Sequence, residues 1–369
     1  MFDCRVNTLS ACTRRSFLQQ VSAAVAAGAA ASFALAEAPS AQPRPLVDVH
    51  CHSLPPFWVD AMRPSISAQL AGPLKPPWTN WSLQRTLDQM DAYGIAFAVQ
   101  SITAPGVWAG DRRQARVLAR RCNEYMASAV AAHPHRLGVH AILPLPDVDA
   151  SLKELSYAFD VLKADGVGLM TSYGEHYLGD TLFEPVMQAM DARRAVAFVH
   201  PLAPQCCTHL MPAVPPNFIE FLHDTSRAVL NLMLTGTLHR YPNIQFIFCH
   251  AGAGLPVMVP RIEGVLPQYP QLAANVPEGV RPTLRRLHFD VTNSTSRPTL
   301  SAILSMVPDT QLLFGTDSPI VSVPATVRGL TTDILSSDQI QAIAHGNAER
   351  LYPRAAQALR LRAPGSPVP

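Results

Sequence analysis

The sequence predicts an α/β fold: a single distorted (β/α)8 TIM barrel behind an N-terminal targeting segment. Three observations carry this reading. Eight short apolar runs recur, at 46–50, 96–102, 138–143, 166–170, 195–200, 244–250, 287–292 and 311–317. Amphipathic stretches of helical period fall between them, and four of the eight runs end in histidine or aspartate. Continuous rather than alternating apolarity suits strands buried on both faces, as in parallel sheets. Strand–helix alternation repeated eight times is what closure of such a barrel requires.

Composition narrows the alternatives. The chain has 369 residues, 48% hydrophobic and 15% charged, with a net charge of +2. So low a charge content excludes a disordered chain, and the near-neutral balance leaves no basic field for nucleic acid. Seven cysteines in this length do not make a disulfide scaffold. Cys51 and Cys249 adjoin histidines and Cys206 adjoins Cys207, and all four read as small buried groups. Thirteen histidines and 34 prolines stand out. So many prolines in an apolar chain point to sharply terminated elements and ordered loops.

Residues 1–36 read as an address. Arg14-Arg15-Ser16-Phe17-Leu18 precedes an apolar, alanine-rich stretch that ends in small-x-small sites near Ala36. The pattern resembles a twin-arginine export signal, so the mature protein is expected in the periplasm or outside the cell without a membrane anchor. The expected barrel occupies 46–352, and 353–369 read as a flexible tail.

The elements follow in order. The first run is LVDVH, and a proline-rich loop with Trp58, Trp78 and Trp81 is expected over 53–81. Helical spacing of apolar residues predicts helices over 82–93, 113–132, 152–163, 183–193, 225–240 and 338–352, each between two runs or after the last. Ser336 and Gln339 have the spacing of a capping box for the last of these. A second proline-rich loop spans 201–223. Both long loops follow strands, so both are expected over the barrel mouth, where the tryptophans could wall a pocket.

The chemistry sits at the run ends. The first continues into Asp48-Val49-His50-Cys51-His52, where side chains two apart on a strand share a face. The fifth ends at His200, the sixth at His250 and the eighth at Asp317. In a barrel, all these ends converge on one mouth. His50, His52, His200 and Asp317 offer three imidazole nitrogens and one carboxylate, a set that suits one divalent metal, with zinc preferred and manganese possible. His250 is then free for proton transfer, since an imidazole titrates near neutrality.

These motifs resemble the amidohydrolase superfamily, in its aminocarboxymuconate-semialdehyde decarboxylase-like branch (amidohydrolase family 2). The likeness covers residues 46–352 and rests on D-x-H-x-H at 48–52, V-H-P at 199–201, H-A-G-A-G-L-P at 250–256, L-F-G-T-D-S-P at 313–319, G-N-A-E-R-L at 346–351 and Met90-Asp91-Ala92-Tyr93-Gly94-Ile95. It implies a one-metal barrel, with His50, His52, His200 and Asp317 on the metal and His250, beside Asp317, in catalysis. It also implies a homodimer in which Arg261 reaches a substrate carboxylate in the neighbouring subunit; a surface salt bridge is the other reading of Arg261. Thr86 stands where the branch's semialdehyde decarboxylases carry a second arginine, with Arg85 one position early. Asp224-Thr225-Ser226-Arg227 resembles the D-T-T-R of a methylsalicylate-type subgroup, and an i,i+3 ion pair explains the same residues.

The expected activity is non-oxidative decarboxylation of a small hydroxylated aromatic or enoic carboxylic acid. Hydrolysis of a lactone, ester or amide uses the same ligands and remains the alternative.

Overall fold

A computed structural model describes residues 45–362, apart from 77, 208–209, 212 and 331–333. The expected signal segment, and the periplasmic destination it implies, lie outside the described residues. No helix among the described residues is long and apolar enough to cross a membrane.

Eight parallel strands form the barrel: β1 (Leu46–His52), β2 (Ile95–Ser101), β3 (Leu137–Ile142), β4 (Gly166–Met170), β7 (Val196–His200), β8 (Gln245–Phe248), β9 (His288–Asp290) and β10 (Leu312–Leu313), hydrogen-bonded in that order. A small hairpin, β5 (Ser172–Tyr173) and β6 (His176–Tyr177), follows β4. β10 is far shorter than the run 311–317, but the chain beyond it brings the barrel's two ends together. The Val49 N–H donates to Phe314 O at 3.0 Å, and the His52 N–H donates to Ser318 O at 2.7 Å.

Alternate strand residues pack together: Val47 with Val49, Phe97 with Val99, Val196 with Phe198, and Ile247 with Cys249. The opposite strand faces join the helices in the larger core. This division is why the strands read as continuously apolar: each has two buried faces.

The helices begin where the sequence supplies caps. The Ser82 side chain accepts the Arg85 N–H at the start of α2 (Leu83–Ala92), and Asp111 accepts the Arg113 and Gln114 N–H groups at the start of α3 (Arg112–Ala132). Asp147 accepts the Ala150 N–H before α4 (Val148–Asp160). Each cap satisfies a donor that the first helical turn leaves unpaired. The Ser336–Gln339 capping box is present in full.

Three expectations are corrected. The segment 53–81 is not all loop, because α1 (Pro56–Leu70) occupies half of it and buries Trp58, Val59, Met62 and Ile66. Pro56 at the first helical turn costs nothing there, since that N–H has no helical partner. The helix expected over 225–240 starts earlier, as α6 (Glu220–Leu234), and breaks at Gly236, whose φ is 76°. The tail expected from 353 begins as a ten-residue helix, Pro353–Arg362, whose Ala355 and Ala358 join the cluster of Val47 and Phe198. Its small apolar residues find a partner in the barrel interior that no local pattern reveals. Residues 363–369 lie outside the described residues.

Candidate metal centre and active site

The ligand-bearing ends of β1, β7 and β10 meet at one end of the barrel. Between Asp48 and Cys51 the β1–β2 register shifts, and a bulge of this kind re-aims side chains. Asp48 anchors the turn that carries Asp317: it accepts the His50 N–H at 3.0 Å, the Thr316 N–H at 3.1 Å and the Thr316 hydroxyl at 2.6 Å. Burial pushes the Asp48 carboxyl up to about 7, against the lowering effect of these bonds. Gly315 is required by close approach, because a Cβ there would lie 2.6 Å from Thr292 Oγ1 and 2.7 Å from His50 Cβ.

His50, His52, His200 and Asp317 are all buried, and their ligand atoms lie within 4.8 Å of one another. The partners of the outer ring nitrogens assign the tautomers. His50 Nδ1 lies 2.9 Å from the Asp290 carboxylate, and His200 Nδ1 lies 2.7 Å from the Pro201 carbonyl. Both partners only accept, so each Nδ1 carries the proton and each Nε2 keeps a lone pair. His52 Nδ1 lies 3.0 Å from Ser101 Oγ, whose own proton points to Cys51 O, so the same assignment holds there.

Three lone pairs and a carboxylate therefore converge. His50 Nε2 and His52 Nε2 are 3.1 Å apart, and Asp317 Oδ1 is 2.9 Å from His52 Nε2. Acceptors this close repel one another unless a cation lies among them. The donor set of three neutral nitrogens and one carboxylate fits a divalent metal.

Electrostatics agree at His200 and Asp317 but not at His50, where burial lowers the ring while Cys249, Asp290 and Asp317 raise it overall well above its ordinary range, a charge that a bound cation would replace. Burial lowers His200, reinforced by His52 and His50, and holds it well below its ordinary range as a neutral ring. Burial alone would raise the Asp317 carboxyl, but the facing His50 and His52 rings hold it well below the usual carboxylate range.

His250 stands beside this group, its ring centroid 5.6 Å from that of His50. Its φ is 58°, and Ala251 and Ala253 also have positive φ, a strained stretch of the kind that gathers at functional sites. The His250 N–H is held by Asp290 Oδ1 at 3.1 Å, while its buried Nδ1 has no hydrogen-bond partner among the described residues.

His250 and Asp317 line a cavity of about 490 Å³. Phe218, Phe221, Leu222, Ile320 and Val321 make one set of walls, and Asn293, Ser294 and Thr299 contribute polar groups. No lysine or arginine lines it among the described residues.

The other expected residues lie elsewhere. Trp58 is in the core, donating to Gly106 O at 2.8 Å and stacked on Trp78. Neither these two nor Trp81 lines the cavity, so the walls come from the second proline-rich segment and the loops after β9 and β10. Arg261 sits on α7 (Leu255–Val265), in a separate surface groove of about 280 Å³. Within one chain it is not brought to the metal group. Thr86 is buried and accepts the Trp81 indole N–H at 3.1 Å.

Sequence reasoning missed one group and saw only part of another's role. Asp290, at the end of the seventh run, bonds both His50 Nδ1 and the His250 N–H. Its signal was present, since L-H-F-D ends in an acidic residue as its neighbours end in ligands. Asp224 is buried and bonded closely by the Thr171 and Tyr177 hydroxyls, with Arg227 only 4.0 Å away. The i,i+3 pair exists, but it is the weaker part of a network joining β4, the hairpin and α6. Burial pushes the Asp224 carboxyl up, against those hydrogen bonds.

Asp290→Ala removes the acceptor that orients His50. The expected result is metal affinity lower by about 10–100-fold, read by competition with a chelator. Unchanged affinity would contradict the assigned tautomer.

Comparison with known proteins agrees with this geometry. The profile of the Amidohydrolase family matches residues 47–354. A 6-methylsalicylic acid decarboxylase of Penicillium expansum is 33% identical over 320 residues, covering 84% of this chain and 96% of that protein. A gamma-resorcylate decarboxylase of Rhizobium sp. (strain MTP-10005) is 29% identical over 294 residues, covering 72% and 85%. A dihydroxybenzoic acid decarboxylase from Polaromonas sp. JS666, solved with manganese and 2-nitroresorcinol, superposes with a TM-score of 0.71 at 21% identity, covering 84% and 97%. The chain belongs to the amidohydrolase family, in the aminocarboxymuconate-semialdehyde decarboxylase-like branch that includes these decarboxylases.

Proposed function

We propose that the protein is a metal-dependent, non-oxidative decarboxylase of a small hydroxylated aromatic acid with a single carboxylate. One observation carries this reading: three imidazole lone pairs and a carboxylate converge beside the unpartnered His250 Nδ1, in a cavity with an apolar wall and no cationic side chain. His50, His52, His200 and Asp317 would hold a divalent ion, which would supply positive charge to the substrate carboxylate. Zinc suits the donor set, and manganese suits it as well, as in the Polaromonas relative's structure.

The chain's own residues do the rest. Phe221, Leu222 and Ile320 exclude water and pack on the ring. His250 delivers a proton to the carbon that bears the carboxylate. The carbon–carbon bond then breaks, CO2 leaves, and the ring regains its electron pair. Burial holds the His250 ring below its ordinary range, so a proton it takes up from solvent is readily passed on. With no lysine or arginine in the lining, a second substrate carboxylate has no partner. This favours an aromatic monoacid such as 6-methylsalicylate over an enoic diacid.

Product detection over a panel of hydroxybenzoates, diacids and lactones tests the reading. CO2 and a phenol should appear from methyl- or hydroxy-substituted salicylates. Lactone opening without CO2 from any acid would replace decarboxylation by hydrolysis.

The groove on α6 and α7 fits a homodimer. Leu230, Leu234, Met258 and Ile262 line it with Tyr269 and Leu272, and Tyr269, Leu272 and nearby Val257 are among the exposed large hydrophobics. A second copy covering this groove would carry Arg261 towards the partner's substrate, to the same single carboxylate that the metal would hold. Mixing Arg261→Ala with inactive His250→Ala protein should then restore part of the activity, and no restoration would exclude the shared site. Export through the Arg14-Arg15 signal completes the reading. Replacing both arginines with lysine should leave the precursor in the cytoplasm, and normal export would refute it.

A further inference from the structure

Five cysteines lie among the described residues, and they divide sharply. Cys51, Cys122 and Cys249 are buried, whereas Cys206 is exposed and Cys207 half-buried. The two reachable thiols are therefore adjacent in the chain, and the expectation that both are buried packing groups does not hold. They sit in a turn closed by the Cys207 N–H donating to Pro204 O at 2.9 Å. Hydrogen bonding between the two side chains, followed by burial, pushes the Cys207 thiol up to about 11. Cys207 thus holds its proton at rest. Arg227 lies within electrostatic reach of Cys207 and acts against that rise. Nothing in the proposed decarboxylation uses either thiol.

We propose that Cys206 and Cys207 form a redox-modification site, a vicinal dithiol that reduces a small-molecule disulfide and closes into a disulfide of its own. The Cys206 thiolate attacks one sulfur of the small disulfide, whose S–S bond breaks to release the first thiolate. Cys207 then passes its proton to that departing thiolate, and its sulfur attacks the Cys206 sulfur of the mixed disulfide and expels the second. Two electrons pass to the small disulfide, the two protein thiol protons end on its two departing sulfurs, and one new S–S bond joins the adjacent residues. Exposure places Cys206 as the attacking group, and adjacency in the chain places the half-buried Cys207 as the resolving one.

The test is incubation of the intact enzyme with glutathione disulfide, followed by acid quenching, digestion and mass analysis of the peptide holding both residues. The wild-type peptide should be lighter by two hydrogens, and dithiothreitol should reverse the change. Cys207→Ser should stop at one glutathione on Cys206, and Cys206→Ser should react at least about tenfold more slowly, having lost the exposed thiol and kept only the half-buried one. A wild-type peptide that stays unmodified, or that retains one or two glutathiones, would overturn the proposal. The readout needs no turnover, so it stands or falls separately from the decarboxylase reading.

Discussion

Replacing His250 with alanine is expected to lower kcat by about 10²–10⁴-fold, the usual contribution of a positioned proton donor, while metal content stays near that of the wild type. The separation follows from the geometry. His250 is outside the group of four whose ligand atoms converge. Its ring faces the cavity, and its buried Nδ1 meets no acceptor or donor among the described residues. Its backbone is fixed independently by Asp290 and by the strained turn from His250 to Ala253. Removing the ring therefore removes the proton source and leaves the ligands in place. A variant that decarboxylates at the wild-type rate would take His250 out of the mechanism, and one that loses its metal would make it a ligand.

His200→Ala should behave differently, losing metal and activity together. His200 stands at the end of β7, and its Nε2 lone pair is one of the three that meet at the centre. Its loss leaves His50, His52 and Asp317, a set with one neutral nitrogen fewer to balance a divalent charge. Activity is expected at background when metal is stoichiometric, with partial recovery in excess metal. Metal analysis beside a rate assay reads both quantities. Full activity with full metal content would show that His200 is not a ligand. The two variants together distinguish holding the ion from moving the proton, which adjacency alone cannot do.

The barrel and the four converging residues were legible because both are written in local pattern. A strand buried on two faces reads as an apolar run, and a ligand at its end is the first polar residue after that run. His200 follows this rule strictly, whereas Asp48 precedes His50 and Thr316 precedes Asp317. The rest depends on partners distant in sequence. Pro55, Pro56 and Pro64 disguised α1 as a loop, although Trp58, Met62 and Ile66 keep a helical stripe. The helix Pro353–Arg362 resembled a tail because Ala355 and Ala358 are too small to signal a core face until the barrel interior receives them.

The same reasoning explains the residue that was missed and those whose place or partners were not legible. Asp290 acts on His50, 240 positions away, and on His250. Asp224 meets Thr171 and Tyr177, each contributed by a different element. Arg261 had a motif spacing, yet its place in a groove apart from the cavity gives it a role only if a second chain is present. The tryptophans were drawn to the mouth by their loop, but Trp58 is wholly buried and its indole is satisfied by Gly106 O.

The central claim is that metal, His250 and a monocarboxylic aromatic acid meet in this cavity to release CO2. It is tested most directly by adding 6-methylsalicylate to the chelator-stripped enzyme and to the same enzyme titrated with zinc or manganese, while CO2 and the phenol are measured together. The account predicts no CO2 from the stripped protein, and release that rises with bound metal to a plateau at about one ion per chain, the capacity of a single mononuclear site, with one phenol formed per CO2. CO2 release at full rate from metal-free protein, or a fully loaded enzyme that forms neither product from any hydroxybenzoate, would contradict it.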